Sequence, residues 1–295
     1  MTYALLPTDR DLATALRRIA GDEIAEARAL FDAPALSEGE RVHRLRKHVK
    51  KLRALLRLSA ARFPGHKAED RALRDAARAV SGLRDAEVLR QTLARLTAKA
   101  PPEAAAATAH LGAVLAERHR AQSETVGPAA LAAFAATLAA AQKRAPGWDL
   151  RGKAFTLVED GLATAWTTAQ KYQKRSADSE SLDESFHDWR KAAKDHWYHA
   201  TLFTPIWPQI MGPRTEAAGD LADHLGDHHD LAVFRLEIGK LLPRSEAEPL
   251  DALAAKQQKR LEKKAQGLSS RLFAGPAAAE IDRWRLWWEL WSKRR

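Results

Sequence analysis

Residues 41–53 read RVHRLRKHVKKLR, and nine of these thirteen positions are Arg, Lys or His. The same stretch carries a helical repeat of apolar residues at Val42, Leu45, Val49 and Leu52. Because an α-helix turns by about 100° per residue, these apolar positions share one face and predict a core-facing stripe. The stretch therefore predicts a long helix whose buried face is bordered by positive charge.

The cations of this helix fall on two arcs when they are placed on the same angular scale. The arc that borders the apolar stripe holds His43, Arg46, Lys47, Lys50, Arg53 and Arg57. The arc on the far side holds Arg44, His48 and Lys51. Like charges three or four residues apart repel one another, so such a concentration indicates an anionic partner.

A second copy of the pattern, SFHDWRKAAKDHW, occurs at 185–197, about 145 residues later. It repeats the first arc residue type for residue type, with His187, Arg190, Lys191 and Lys194. On the far arc, Asp188 and Asp195 replace Arg44 and Lys51 of the first copy. We interpret the far arc as solvated surface and the first arc as a face with a specific binding role.

Two further matches keep the same order and nearly the same offset. The segment LRDAEV (83–88) matches HHDLAV (228–233), and VGPAAL (126–131) matches AGPAAA (274–279). Apolar residues recur with helical spacing almost everywhere, without sustained strand alternation. The chain is predicted to be all-α, with two tandem four-helix-bundle repeats, 1–147 and 148–295, related by a pseudo-twofold axis around a central basic groove.

Composition limits the class of protein and of partner. The chain has 295 residues, 48 Lys and Arg against 38 Asp and Glu, a formal net charge of +10, and no Cys. The positive excess favours an anionic partner, and the absence of Cys excludes disulfides and thiolate metal sites. Its longest apolar stretch, 129–141, is too short and Ala-rich to span a bilayer. We expect a cytoplasmic protein without a membrane partner.

The spacing H-x-x-R-[KR]-x-x-K occurs twice, and each time a short [RH]-D-x-x-V motif follows about 40 residues later. This combination resembles the CHAD domain, the conserved histidine α-helical domain, over nearly the whole chain. The resemblance implies a non-enzymatic module that binds inorganic polyphosphate in a basic groove between its halves. It also implies a role in bringing the protein to polyphosphate granules.

The resemblance further implies which side chains bind polyphosphate. They are His43, Arg46, Lys47, Lys50 and Arg53 in the first copy and His187, Arg190, Lys191 and Lys194 in the second. The chain departs from the pattern at Trp197, which stands where the first copy has Arg53. Additional polyphosphate contacts are predicted at Arg57, Arg84, Arg118, Arg120, His229, Lys259 and Arg260, with ion pairs or solvated surface as the alternative.

Other motifs leave alternatives open. His224 and His228 are one helical turn apart and could chelate Zn²⁺, but their first-copy counterparts are Ala79 and Leu83. We therefore predict no metal site and no cofactor. Core packing is favoured for the tryptophans of the last helix, with a partner surface or base stacking as alternatives: Trp284, Trp287 and Trp291.

Two other classes of protein compete with the polyphosphate-binding module. A nucleic-acid-binding helical protein shares the electrostatics but requires aromatic residues in the groove for stacking. A phosphotransfer protein would use His43 or His187 as a phosphoryl acceptor and requires a group that orients the imidazole. No nucleophile and base occur at an interpretable spacing, so we predict no enzyme activity. The sequence does not identify a protein partner.

Overall fold

The fold is seen in a computed structural model that describes residues 3–9, 11–98, 104–125, 128–177 and 182–293, without side-chain detail for 82–86, 119, 121–125, 176–177 and 182–184. All regular structure in these residues is helical, which confirms the predicted all-α class. Eleven α-helices follow one another: α1 Leu12–Ala29, α2 Glu38–Leu58, α3 His66–Ala79, α4 Gly82–Thr97, α5 Ala105–Thr125, α6 Pro128–Arg144, α7 Thr156–Ala177, α8 Leu182–Phe203, α9 Pro208–Leu241, α10 Arg244–Leu272 and α11 Ala277–Ser292.

Helix α2, which carries the basic stretch, begins at a capping box. The Ser37 hydroxyl accepts a hydrogen bond from the backbone N–H of Glu40, and the Glu40 carboxylate accepts one from the backbone N–H of Ser37. Two of the N–H groups that every helix start leaves without intrahelical partners are thereby satisfied. The cap fixes where the helix begins and so fixes the direction of every later side chain on it.

Prolines end fewer helices than the sequence pattern suggests. The proline-containing segments 205–213 and 243–249 have the composition of helix breaks, but α9 already begins at Pro208 and α10 at Arg244, with Pro213 and Pro249 inside them. Proline at a first helical position costs little, because its missing N–H would have no intrahelical partner there. Each internal proline removes one backbone hydrogen bond near the start of a long helix. Packing along the rest of the helix keeps the helix intact.

The helix order before and after residue 147 can be compared with the predicted internal duplication, which stays a prediction. The first half has α3 and α4, separated by Val80 and Ser81, where the second half has the single α9 of 34 residues. Helices α2 and α8 both carry the basic pattern and stand second in their halves. The domain boundary and the pseudo-twofold axis stay predictions.

Hydrophobic cores include helices from both sides of that boundary. Buried residues of α2, such as Leu55, share one cluster with Tyr198 and Phe203 of α8. Leu93 of α4 belongs to a second cluster together with Phe234 of α9. The two halves are thus held together by buried apolar contacts, which hold α2 and α8 in a fixed relation. Among the described helices, none is both long and apolar enough to cross a membrane.

Helix α7 passes very close to the end of α2 at Gly161. A Cβ atom placed on Gly161 would lie 2.1 Å from the carbonyl oxygen of Leu58 and 2.6 Å from its Cα. Only glycine leaves room for two backbones at this separation. The position therefore fixes how closely α7 packs on α2.

Candidate anion-binding site

On α8, the predicted cations lie against a second set of polar residues on α9. The imidazole rings of His187 and His229 have centroids 5.6 Å apart. Arg190 lies one turn further along α8, half-buried, and both Arg190 and Lys194 act electrostatically on His229. We name these four residues, His187, Arg190, Lys194 and His229, the α8–α9 cluster.

Burial and mutual repulsion shift the titration of this cluster. Burial, with the nearby charges of Arg190 and His187, lowers the pKa of His229 to about 4. Burial and then the charges of Lys191 and Arg190 lower the pKa of His187. Burial also lowers the pKa of Arg190, against the attraction of Asp230. Both imidazoles are therefore neutral at pH 7, while the Arg190 guanidinium keeps its charge.

Arg190 also has an unused hydrogen-bond donor. Its Nε atom is buried and makes no hydrogen bond with the described residues. A buried donor without a partner costs stability, and more so on a charged group. The guanidinium is thus in a position where an added acceptor, above all an anionic oxygen, would be stabilising.

Asp230 connects the cluster to the first half of the chain. Its carboxylate lies 3.7 Å from Nη2 of Arg95 on α4, and it attracts Arg190 on α8. Arg95 also contacts Asp227 at 2.5 Å. Asp230 therefore lies between two arginines, Arg95 and Arg190.

The basic row on α2 is partly exposed. The side chains of His43, Lys47 and Lys50 are exposed, whereas Arg46 is half-buried and donates a hydrogen bond from Nη1 to the carbonyl of Ala77 at 2.7 Å. Helix α2 packs against α4 and α8, and α9 packs against both of these helices. The two basic rows therefore belong to one ring of four contacting helices.

Two predicted ligands of α2 are already bound by carboxylates. Arg53 donates from Nε and Nη2 to the two oxygens of Asp70, at 2.8 and 3.0 Å. Arg57 binds Asp195 of α8 in the same two-pronged way, at 2.6 and 2.5 Å, and lies 3.6 Å from Asp70. Their positive charge is largely neutralised, so they join α2 to α3 and α8. As polyphosphate ligands they stay predictions.

Two other members of the repeated pattern lie in separate environments. Lys191 contacts Asp188 of its own helix at 3.0 Å and lines a cavity between α7 and α8. Lys47 lines a shallow cavity beside Arg44, His48 and Lys51. Lys191 acts on the α8–α9 cluster through its charge, which adds to burial in lowering the pKa of His187.

The additional predicted contacts scatter over several surfaces. Arg118 pairs with Glu237 of α9 at 2.6 Å, and Arg120 pairs with its helix neighbour Glu117 at 2.8 Å. Lys259 is exposed, Arg260 lines a cavity with Arg95, and the side chain of Arg84 lies outside the described residues. Within the described set, only His229 is brought to the α8 row.

One buried polar contact escaped the sequence interpretation. Glu23 of α1 is fully buried and accepts hydrogen bonds from Lys51 and His48, both at 2.7 Å. The far arc of α2, interpreted as solvated, is therefore partly a packing surface. The sequence contains one signal of this contact, because Glu23 is an acid that lies in the apolar stripe of α1, between Ala20 and Ile24.

The remaining motifs are mainly structural. The ring of His228 stacks on Phe186 with centroids 4.1 Å apart, inside the protein. Trp284 is buried in the core, while Trp287 lies edge-on to Trp207 at 5.1 Å. Among the described residues, one group has metal-ligand spacing, formed by Glu23, Glu26 and His48, and Lys51 already binds its buried carboxylate.

Comparisons with known proteins agree with this architecture. The CHAD domain family model matches residues 18–239. The structure of the CHAD domain from the plant Ricinus communis is similar, at 22% identity and a TM-score of 0.63, over 94% of this chain and 96% of that one. PptA from Streptomyces chartreusis is also similar, at 18% identity and a TM-score of 0.60, over 90% of this chain and 98% of that one.

A search of curated proteins gave no match. The two structural likenesses show a shared helical fold, and the family match extends over most of the sequence, including both basic helices. The chain belongs to the CHAD domain family.

Proposed function

We propose that the chain binds long inorganic polyphosphate, without catalysis, in a basic groove between α2 and α8. The row on α8, together with His229, forms one wall, and the row on α2 with His43, Arg46 and Lys50 forms the other. Binding would bring the protein to polyphosphate granules in the cytoplasm. Support comes from the family membership, the positive net charge and the clustering of cations on α8.

The observation that carries the proposal is the state of Arg190. It has a buried donor that no described residue uses, and its neighbours on α8 and α9 are basic side chains, with Asp230 as the opposing charge. A bound phosphate would supply acceptor oxygens and negative charge at the same point. Polyphosphate has no bases to be read, so positioned cations and counterion release account for its binding.

The spacing of the α8 row suits an extended chain of phosphates. His187, Arg190 and Lys194 occupy positions i, i+3 and i+7, and one helical turn rises by about 5.4 Å. Successive side chains of the row can therefore contact successive parts of a chain that runs along the helix. A single phosphate or pyrophosphate could use one or two of these contacts only.

Competition between anions tests the proposal. Labelled long-chain polyphosphate is titrated with the protein and displaced by unlabelled polyphosphate, pyrophosphate or single-stranded DNA at several salt concentrations. We expect displacement by long polyphosphate at the lowest concentration and a steep loss of affinity with salt, because each phosphate contact releases counterions. Equal or better displacement by DNA would favour the nucleic-acid alternative.

The affinity for polyphosphate is expected to rise as the pH falls from 8 to about 5. The free-state pKa of His229 is about 4 and that of His187 is lowered. A bound phosphate chain raises both, so binding takes up protons. The gain in affinity is absent at a pH above the pKa values that the two imidazoles have in the complex, and it grows as the pH falls through those values. Fluorescence anisotropy at fixed ionic strength measures it.

The neighbouring charges that act on these imidazoles are Arg190, Lys191, Lys194, Asp188 and the imidazole of His228. Replacing His187 and His229 together by Gln should flatten the pH profile. The control is His110→Gln on α5, because this imidazole pairs with Glu246 of α10, outside the α8–α9 cluster. A double variant that keeps the full pH dependence would contradict the assignment.

A phosphohistidine carrier is the second candidate, because the low pKa values keep the imidazoles of His187 and His229 neutral and nucleophilic beside cations. Intact-protein mass spectrometry after incubation with polyphosphate separates the two functions. Reversible binding predicts an unchanged mass, whereas phosphotransfer predicts an acid-labile increase of one phosphoryl group that His187→Gln or His229→Gln removes.

A further inference from the structure

A cavity outside the α8–α9 cluster combines cations with an apolar floor. It measures about 490 Å³ and lies between α4, α9 and α10. Its floor is the edge of a hydrophobic core and consists of Leu96, Leu231, Leu253 and Leu261. Its cations are Arg95, Lys256 and Arg260, with Asp227 as the acid of the lining.

Two of the three cations are available to a ligand. Lys256 and Arg260 are one helical turn apart on α10, both are exposed, and within the described part of the chain neither forms an ion pair. Arg95 contacts Asp227 and Asp230 at a half-exposed site, where ion pairs are weak. An incoming anion can therefore compete for Arg95 and bind the other two cations directly.

The leucines of the floor favour a ligand that has an apolar group. Inorganic phosphate or polyphosphate would leave these side chains in contact with water, whereas an apolar group placed on them gains affinity with every methylene that it buries. Ligand cavities in proteins commonly combine such an apolar lining with a few polar groups that fix orientation. The volume is in the range that small organic ligands occupy.

We propose that this cavity binds a small organic phosphate, in which a phosphate monoester is attached to an aliphatic or aromatic body. The phosphate lies at Lys256, Arg260 and Arg95, and Arg260 and Arg95 present planar forks to its oxygens. The body lies on Leu253 and Leu261. This function goes beyond polyphosphate binding and does not depend on it, because the lining of the cavity contains no member of the α8–α9 cluster.

Calorimetric titration of the full chain with octyl phosphate tests the site. Inorganic phosphate supplies the charge alone and 1-octanol the apolar body alone. We expect one octyl phosphate per chain, bound at least about tenfold more tightly than either. The double variant Lys256→Gln with Arg260→Gln should weaken binding by about tenfold or more, while Lys259→Gln, a lysine of the same helix outside the lining, should leave it within about twofold.

A second pair of variants separates this site from the polyphosphate groove and from charge effects. Lys50→Gln in the α2 row should leave octyl phosphate binding unchanged, and Leu253→Gln at the half-buried floor should weaken it with all cations in place. Circular dichroism confirms that each variant is folded. Inorganic phosphate that binds as tightly as octyl phosphate, equal losses in the Lys259 control, or loss in Lys50→Gln would each overturn the proposal.

Discussion

Replacing Arg190 by Glu is expected to lower the affinity for long-chain polyphosphate by about a hundredfold, which corresponds to about 3 kcal/mol. The substitution removes a half-buried guanidinium with an unused donor and puts a negative charge beside the phosphates. A lost charge-assisted hydrogen bond accounts for about 1.5–3 kcal/mol, and repulsion adds to it. Anisotropy titration at low and moderate salt measures the change.

Arg283→Glu is the matched control for this experiment. It makes the same change of charge on α11, where the side chain is more than half exposed and lies 3.5 Å from Glu280. We expect a loss of no more than about twofold, from the change in net charge alone. Arg190→Gln removes the charge without reversing it and is less disruptive to the fold. It should give an intermediate loss of affinity, and its thermal transition should be normal. Equal losses in Arg190→Glu and Arg283→Glu would contradict a specific site.

Replacing Gly161 by Ala should lower the free energy of unfolding by about 3 kcal/mol or more. The new Cβ would overlap the backbone of Leu58, with its carbonyl carbon 2.5 Å away. Backbone cannot change rotamer to relieve such an overlap, so α7 must move away from α2 and open the packed interface. Urea denaturation followed by circular dichroism measures the loss.

Gly226→Ala on α9 supplies the contrast. A Cβ atom at this helical position meets nothing within 4 Å. Since glycine in a helix interior costs about 1 kcal/mol relative to alanine, this variant should be as stable as the parent or slightly more stable. If the two glycine variants unfold at the same urea concentration, α7 does not approach α2 as closely at Gly161 as described.

The helical class and the basic row could be predicted from the sequence because both depend on spacing within one helix. Apolar residues at 42, 45, 49 and 52 fix the buried face of α2, and the structure buries all four. The repeat of His, Arg, Lys and Lys on α8 then marked the face that borders the core. The spacing of residues within one helix is enough to predict its buried face and the basic row beside it.

Partners that come from distant parts of the chain could not be predicted in this way. Asp70 and Asp195 lie on other helices, and the spacing along α2 does not reveal that they bind Arg53 and Arg57. Gly161 has no turn signal around it, and its role depends on a contact with a helix about 100 residues earlier. The break between α3 and α4 has only the Ser81–Gly82 pair as a local signal, and no proline strengthens it.

The central claim is that the row of α8, with His229, contacts bound phosphates. Crystallography of the chain with polyphosphate of defined length tests it most directly. We predict continuous density for phosphates along α8, with oxygens within hydrogen-bonding distance of the Arg190 guanidinium and near His187, Lys194 and His229. Phosphate density confined to other surfaces, with the donor of Arg190 still unused, would contradict the claim.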